Sequence, residues 1–519
     1  MSAPHDLHEP SERLLRHDAS PPEGDGRVRE KDAGSVRSSA TDATEDALSG
    51  RPARSGGRGF VPQRPPTPPG SLFAPGVDPD VVVAAEAHAA EAHATQAHGG
   101  EAHAGGTAAR PRPTLEELKA RKARTRGLLE RNVDVMTVSM GPQHPSMHGV
   151  YRAELDLDGE VIVAVRPEIG NLHRGVEKLC EQRTYHQIIP LTDRLDYLSG
   201  FAMNHGFCEA AEKLMGLEVP PRARHIRTLS SELCRLANHI MWLGVHIMDL
   251  GTQTFFSICF RDREYVLDLF EMLTGARLTH SFARIGGVAK DLPDGFEERC
   301  RKVIDFLPKR VAEYERIVKH NRIYYKRAKN VGIFTSEDCY AWRVTGPPLR
   351  AAGIARDLRK DEPYAAYDEV DFEVAVEYNA DVYDRFLVRM KEIRESCKII
   401  RQCLDNLPPG PFLSRDMGHT LPVKRDVLQD SAAMIQDFYQ VFRGPQVPKG
   451  EVYRATEAPK GEMGVYIRSE GAGTPARVRF STPSFYHGQA VPALVEGEMV
   501  ADMVAIFASV DVVLGDCDR

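Results

Sequence analysis

Between Leu172 and about Leu404 apolar residues recur with a helical period, broken only by Gly and Pro, and this stretch commits the centre of the chain to packed helices. The segments expected are 172–185, 193–215, 221–250, 260–274, 294–326 and 376–404. Both flanks read as strand. Upstream, Val133-Asp-Val-Met-Thr-Val-Ser-Met140 alternates, and two further runs, Tyr151 to Leu157 and Glu160 to Arg166, flank Asp158-Gly159, a strong hairpin signal. Downstream of Leu407-Pro-Pro-Gly-Pro411 come short strands at Val465–Arg468 and Ala476–Phe480, then a last apolar helix over 497–508. The fold class expected is α+β, a central helical bundle with small antiparallel sheets from the N- and C-terminal parts.

The chain divides by composition. Residues 1–108 are rich in Ala, Pro, Gly, Ser, Asp and Arg, include Pro-Pro-Thr-Pro-Pro-Gly at 65–70, and read as a disordered low-complexity extension. His88, His93, His98 and His103 recur in it every five residues. On a helix each step would turn by about 140°, so no single face collects them. An Ala/His tract is the plain reading, with metal binding or a docking tail as the alternatives. Residues 109–130 form a charged helical linker, and 131–519 one folded domain, long enough to bury a large core.

Several function classes are disfavoured. With 67 basic against 74 acidic residues and a net charge of -7, and with no basic stripe, nucleic acid is not an expected partner. No window approaches the roughly 18 uninterrupted apolar residues of a membrane span. The N-terminal residues lack the apolar segment of a secretory signal, so a cytoplasmic location is expected. The nine cysteines are scattered with no Cys-x-x-Cys, which reads as reduced, buried thiols and leaves no local zinc or iron–sulfur cassette. No glycine-rich fingerprint sits in a βαβ setting, so this chain is not expected to bind NADH.

Three groups of residues can carry chemistry. The loop Gly141-Pro-Gln-His-Pro-Ser-Met-His-Gly149 sets His144 and His148 where backbone can approach a ligand closely, and structural, proton-transfer and metal roles all stay open for them. Asp193-Arg194-Leu-Asp196-Tyr197-Leu-Ser199 reads as a charged first helical turn, its acids suited to the helix dipole. On the helix 221–250, His239, Trp242, His246 and Asp249 share one face. They read as satisfied core polar groups, or, for Asp249, as a carboxylate that orients a histidine elsewhere.

In their order along the chain, the 141–149 loop, Leu172-His-Arg-Gly-Val-Glu-Lys178, Arg183-Thr-Tyr185, Asp193-Arg-Leu-Asp-Tyr197, Asn238-His-Ile240, Gly275-Ala-Arg277, Arg284-Ile-Gly-Gly287, Glu457-Ala-Pro-Lys-Gly-Glu462 and Asp518-Arg519 closely resemble the 49-kDa subunit family of respiratory complex I. The resemblance runs from Val133 to Arg519. That family is similar to the large subunits of nickel-iron hydrogenases, which implies a hydrogenase-large-subunit-like fold. The four thiolate positions of those enzymes fall here on Asp196, Ser199, Val513 and Asp516, with Cys517 one place beyond the last. A soft metal needs the missing thiolates, so hydrogenase activity is rejected and no metal is expected on this chain.

The resemblance implies a quinone headgroup cavity, with His148 and Tyr197 as proton donors to the two quinone oxygens and Asp249 as the acidic partner of His148. Asp196, Ser199, Asp511 and Val513 would form the cavity wall, and the Tyr197 turn and the 511–516 segment should meet there. Arg174 and Arg194 would lie near the iron–sulfur cluster of a small partner subunit, with FMN in another partner. A 30-kDa-type subunit and a quinone-channel membrane subunit complete the implied partners, on the cytoplasmic side of a bacterial plasma membrane. His144 would then shape the loop. Relatives that carry a His directly after Gly-Ala-Arg-x differ from this chain, which has Thr279 there and His280 next, so His280 is assigned no redox role. The activity implied is that of a subunit of proton-pumping NADH:quinone oxidoreductase, inactive alone. The alternatives are the same module in a ferredoxin-fed membrane complex, or a non-catalytic structural paralogue. Ubiquinone and menaquinone present the same two carbonyls and are not distinguished.

Overall fold

A computed structural model describes residues 111–130, 135–141 and 148–519. The expected extension over 1–108, with its repeated histidines, and His144 lie outside the described residues. Helix α1 spans Leu115–Glu130. The first sheet is the antiparallel meander β1 (Met136–Met140), β2 (Arg152–Asp158) and β3 (Val161–Glu168). Its hairpin turns at Gly159 and Glu160, beside the Asp-Gly signal, and buries alternate residues of β2 such as Ala153 and Leu155.

The helical centre is α2 (Tyr185–Thr192), α3 (Gly200–Met215), α4 (Pro221–Asp249), α5 (Gln253–Thr274), α6 (Phe296–Lys319) and α7 (Val382–Asp405), with shorter helices between. A two-residue hairpin, β4 (Ala283–Arg284) with β5 (Gly287–Val288), lies beside α3 and α4. The 29-residue α4 packs against α5 and α7, and its buried positions run almost unbroken from Ala223 to Ile247. A helix buried all round must seek partners for its polar side chains internally. Arg227, His239, Trp242 and His246 each find one. The Arg227 guanidinium donates to both Glu212 carboxylate oxygens of α3, at 2.8 and 2.5 Å, and to the carbonyls of Arg284 and Gly287. His239 pairs with Glu392 of α7 at 2.7 Å, Trp242 Nε1 donates to the Ala508 carbonyl at 2.6 Å, and His246 stacks on Trp242 and meets the Tyr324 hydroxyl. The polar face of 221–250 is thus core structure through His246.

The C-terminal part builds a second antiparallel sheet, β6 (Gly450–Ala458), β7 (Gly461–Ser469) and β8 (Arg477–Ser481). Strand β6 lies outside the expected strands, although its turn holds the Glu457-Ala-Pro-Lys-Gly-Glu motif. Beyond it α8 (Pro483–Val495), α9 (Val500–Val510) and α10 (Leu514–Asp518) return the chain end to the first sheet, where His148 and Val513 form a parallel bridge and Val161 and Met499 an antiparallel one. The helix Ser431–Arg443 also falls outside the expected segments.

Several expected helices have different bounds: 172–185 is helical only over Val176–Cys180 before α2 begins, α5 starts at Gln253 and α7 at Val382. The run 294–326 is cut after Lys319 because the Asn321 side chain accepts from the amides of Ile323 and Tyr324 and caps a new helix, Arg322–Ala328. The segment 193–199 does not start a helix. Asp193 closes α2, and Ser199 opens α3 at Gly200, where a Cβ would come 3.0 Å from the Asp193 carbonyl. Asp193 instead accepts from the amide and hydroxyl of Ser281, so the expected dipole role gives way to a link between distant segments.

Arg350, fully buried, donates to Glu392 and to Glu457, each at 2.8 Å. Removing Arg350 leaves the buried Glu457 carboxylate without its guanidinium and weakens the hold on Glu392, so Arg350→Ala is expected to cost about 3–5 kcal/mol. The exposed Lys302–Glu298 pair is screened by water and should contribute almost nothing. Thermal inactivation midpoints of the two alanine variants check the contrast: a clear drop for Arg350→Ala, almost none for Lys302→Ala.

Candidate functional site

The turn between α2 and α3 is built by its own acid. Asp196 accepts from the Leu198 amide at 3.1 Å and from the Ser199 hydroxyl, an arrangement that fixes the turn and leaves Tyr197 projecting from it, half-buried. The Tyr197 ring lies against the C-terminal segment: a Cβ on Gly515 would stand 3.3 Å from the ring and 2.9 Å from the Leu195 carbonyl. The expected meeting of these two segments is therefore a close backbone contact.

His148 arrives at the same segment from the other side. Its carbonyl accepts from the Leu514 amide at 3.0 Å, next to the bridge with Val513, and its Nε2 stands 3.5 Å from Asp511 Oδ1. Asp511 closes α9 in the left-handed conformation, φ 61°, which Asp tolerates better than most side chains. The carboxylate seen facing the imidazole is Asp511, because the C-terminal segment folds back beside His148, and Asp249 sits half-buried at the last turn of α4.

Between the two sides lies Lys460, at the tip of the β6–β7 hairpin and with no exposed surface. Its ammonium is 2.9 Å from Asp196 Oδ2, 3.7 Å from Asp511 Oδ2 and 2.5 Å from Asn238 Oδ1, while the Asn238 amide donates to Asp511 at 3.0 Å. Arg235 of α4 holds the tip by donating to the Glu457 and Ala458 carbonyls. Sequence reasoning assigns no role to Lys460 or Asn238. The available signal is a lysine in a Pro-Lys-Gly turn between apolar strands.

Electrostatics follow from burial and this ammonium. Burial raises the Asp511 carboxyl, but Lys460, the neighbouring His148 and Arg389 outweigh it and hold it well below the usual carboxylate range. Burial, and then Asp196, push the Tyr197 phenol up to about 12, so it stays a proton donor. Asp516 is pushed up to about 7 by burial and by Asp196; Ser484 is its hydrogen-bond donor, through the backbone amide at 3.4 Å.

Of the remaining expected residues, Ser199 and Val513 are fully buried beside this cluster, and Asp196 is central to it. Arg174 and Arg194 are exposed neighbours, Arg174 donating to the Arg194 carbonyl, on the outer side of Tyr197. Arg174 titrates lower than usual, through partial desolvation of its inner part and through the Arg194 charge. His280 stacks on Phe270 with 4.0 Å between ring centroids.

Comparison with known proteins places the chain. Residues 249–519 match the family described as the 49 Kd subunit of respiratory-chain NADH dehydrogenase. The chain belongs to that family. It is similar to the D subunit of the NADH-quinone oxidoreductase of Geotalea uraniireducens, 47% identical over 388 residues, which are 75% of this chain and all of that protein. The equivalent protein of Geobacter sulfurreducens is 46% identical over the same shares. That of Magnetococcus marinus is 46% identical over 74% of this chain and 96% of its own length. Membership makes this chain part of a multi-subunit NADH-quinone oxidoreductase and agrees with a hydrogenase-like fold. The complex is associated with the bacterial membrane, and among the described residues no helix is long and apolar enough to cross it.

Because its pKa when folded lies above the ordinary 3.8, Asp516 contributes stability that is full below about pH 4 and lost as pH rises through about 7. Asp516→Asn should flatten that loss. The check is the thermal inactivation midpoint of the complex at about pH 5 and about pH 8, where the variant should change less than the wild type.

Proposed function

We propose that this chain forms the quinone headgroup site of its complex, with His148 and Tyr197 supplying the protons for quinone reduction. The observation that carries the reading is that both residues are seated on one short segment: His148 through its backbone on Val513 and Leu514 and its imidazole beside Asp511, Tyr197 through its ring against Gly515. Reduction of a quinone to a quinol takes two electrons and two protons. An iron–sulfur cluster on a small partner subunit, with FMN on another where NADH would be oxidised, would supply the electrons. The protons come from this chain.

A phenol whose pKa stands near 12 remains protonated at neutral pH and can hydrogen-bond one quinone oxygen. As electrons arrive that oxygen becomes more basic, and proton transfer becomes favourable only then. His148 serves the second oxygen, and the anionic Asp511 beside it stabilises positive charge on the imidazole. Asp249 joins this reading as the family's acid for the same imidazole, acting from the end of α4. Asp196, Ser199, Asp511 and Val513 form the inner wall. Arg174 and Arg194 face the partner's cluster, where cationic side chains favour its reduced state.

The site so placed requires the cluster-bearing small subunit, a 30-kDa-type subunit and a quinone-channel membrane subunit as neighbours, on the cytoplasmic face of the plasma membrane. The chain works as part of a proton-translocating complex and binds neither NADH nor a metal itself.

His148→Ala and Tyr197→Phe test the proposal in membranes. Each should lower quinone reductase activity by roughly 10²-fold or more, the usual scale for a lost proton donor. The iron–sulfur EPR signal should stay intact. Near-normal activity in both variants would remove the basis for the assignment.

A further inference from the structure

We infer that Lys460 is a positioning residue for quinone reduction, whose buried ammonium joins the carboxylate behind His148 and the carboxylate beneath Tyr197 into one electrostatic unit. This rests on the quinone-site reading above and assigns the site a residue which that reading does not need.

The geometry is a continuous run of charged groups: His148 Nε2 to Asp511 at 3.5 Å, Asp511 to Lys460 at 3.7 Å, and Lys460 to Asp196 at 2.9 Å. Asp511, Lys460 and Asp196 have fully buried side chains, so water screens none of these interactions. Asn238 closes the run by accepting from Lys460 and donating to Asp511. The ammonium also sits among the positions where hydrogenase-like sequences would keep metal thiolates, since Asp196 is one of them and Asp516 influences it directly. A permanent cation on a strand turn thus compensates an acidic pocket.

Other charged groups face the two carboxylates. Asp511 is approached by Arg389 from α7, by His246 from α4 and by His487 from α8. Both histidines are held low by burial, to about 3 and about 4, and are neutral at working pH, so neither replaces the ammonium. Arg389 keeps its charge, but its ordered hydrogen bonds run to the Ser509 and Arg385 carbonyls and its plane covers Trp242. Asp196 is faced by Tyr197, Asp516, Cys234 and Cys517, none of them cationic. Lys460 is therefore the only full positive charge in direct contact with Asp196 among the described residues.

Without the ammonium Asp511 binds a proton more readily. The charged form of Asp511 then disappears as pH falls through a range that it survives in the wild type, and the acid limb of quinone reduction moves up. In the assembled complex, Lys460→Gln should raise the acid limb of kcat/KM for a short-chain ubiquinone analogue by about one pH unit or more, seen as about tenfold lower activity near pH 6 than near pH 8 relative to wild type. Lys460→Arg keeps the charge and should retain the wild-type limb. An unchanged limb in Lys460→Gln overturns the inference, as does an equal shift in Lys460→Arg. If Lys460→Gln fails to assemble, Asn238→Ala removes the bridging amide with all charges in place. It should shift the limb in the same direction by a smaller amount, and no shift there overturns the inference too. Loss of activity in His148→Ala and Tyr197→Phe alongside unmoved limbs in the Lys460 and Asn238 variants would sink this inference alone. Retained activity in His148→Ala and Tyr197→Phe would instead sink the quinone reading.

Discussion

A single buried ammonium ties together parts of the chain that are far apart in sequence. Lys460 reaches Asp196 in the α2–α3 turn, Asp511 at the end of α9 and Asn238 on α4. Two carboxylates left in that interior without a cation would face a desolvation cost of several kcal/mol each. The ammonium offsets that cost only if hairpin, turn, helix and terminus keep their present distances. The site geometry is thus a condition of burying the charges, and the charges are held by the fold that they constrain.

That clamp stands on a second tier of buried charge. Arg235 holds the carbonyls of the hairpin tip, and Arg350 links Glu457 at the same tip to Glu392 of α7. Arg359 joins Asp357 to Glu232 of α4. Each guanidinium presents a planar fork of donors to more than one acceptor, which a lysine does less well. Glu232, Arg235 and His239 of α4 belong to this tier, and it gives the tip that carries Lys460 a rigid seat. A rigid seat matters because an ammonium displaced by an ångström would favour one carboxylate over the other.

Much of the architecture was legible in the chain itself. Helical periodicity marked the bundle, and Asp158-Gly159 marked the first hairpin. The ordered motifs from the histidine loop to Asp518-Arg519 marked the family. Local signals failed where a tertiary partner decided the outcome. Asp193 and Asp196 carry the chemistry of a helix start, yet Asp193 is claimed by Ser281 and Asp196 by Lys460, so the segment stays a turn. The stripe on α4 offered Asp249 as an acid for His148 but gave no sign of Asp511, which the structure adds beside that imidazole. Spacing along one helix reveals which residues share a face but not which distant carboxylate arrives at it.

The sequence by itself determined the residue types of the site, an imidazole after a Gly/Pro loop, a phenol after two acids and no thiolate set for a metal, because those are properties of composition and spacing. It determined too that the centre is helical, because periodicity is local. Only the tertiary structure decided that Asp511 faces His148, that Gly515 admits the Tyr197 ring and that Lys460 stands between the two sides. The physical reason is one of range: a helix or a turn is specified by neighbours a few residues away, whereas a buried ion pair is specified by which charges fail to find water once the whole chain has closed around them.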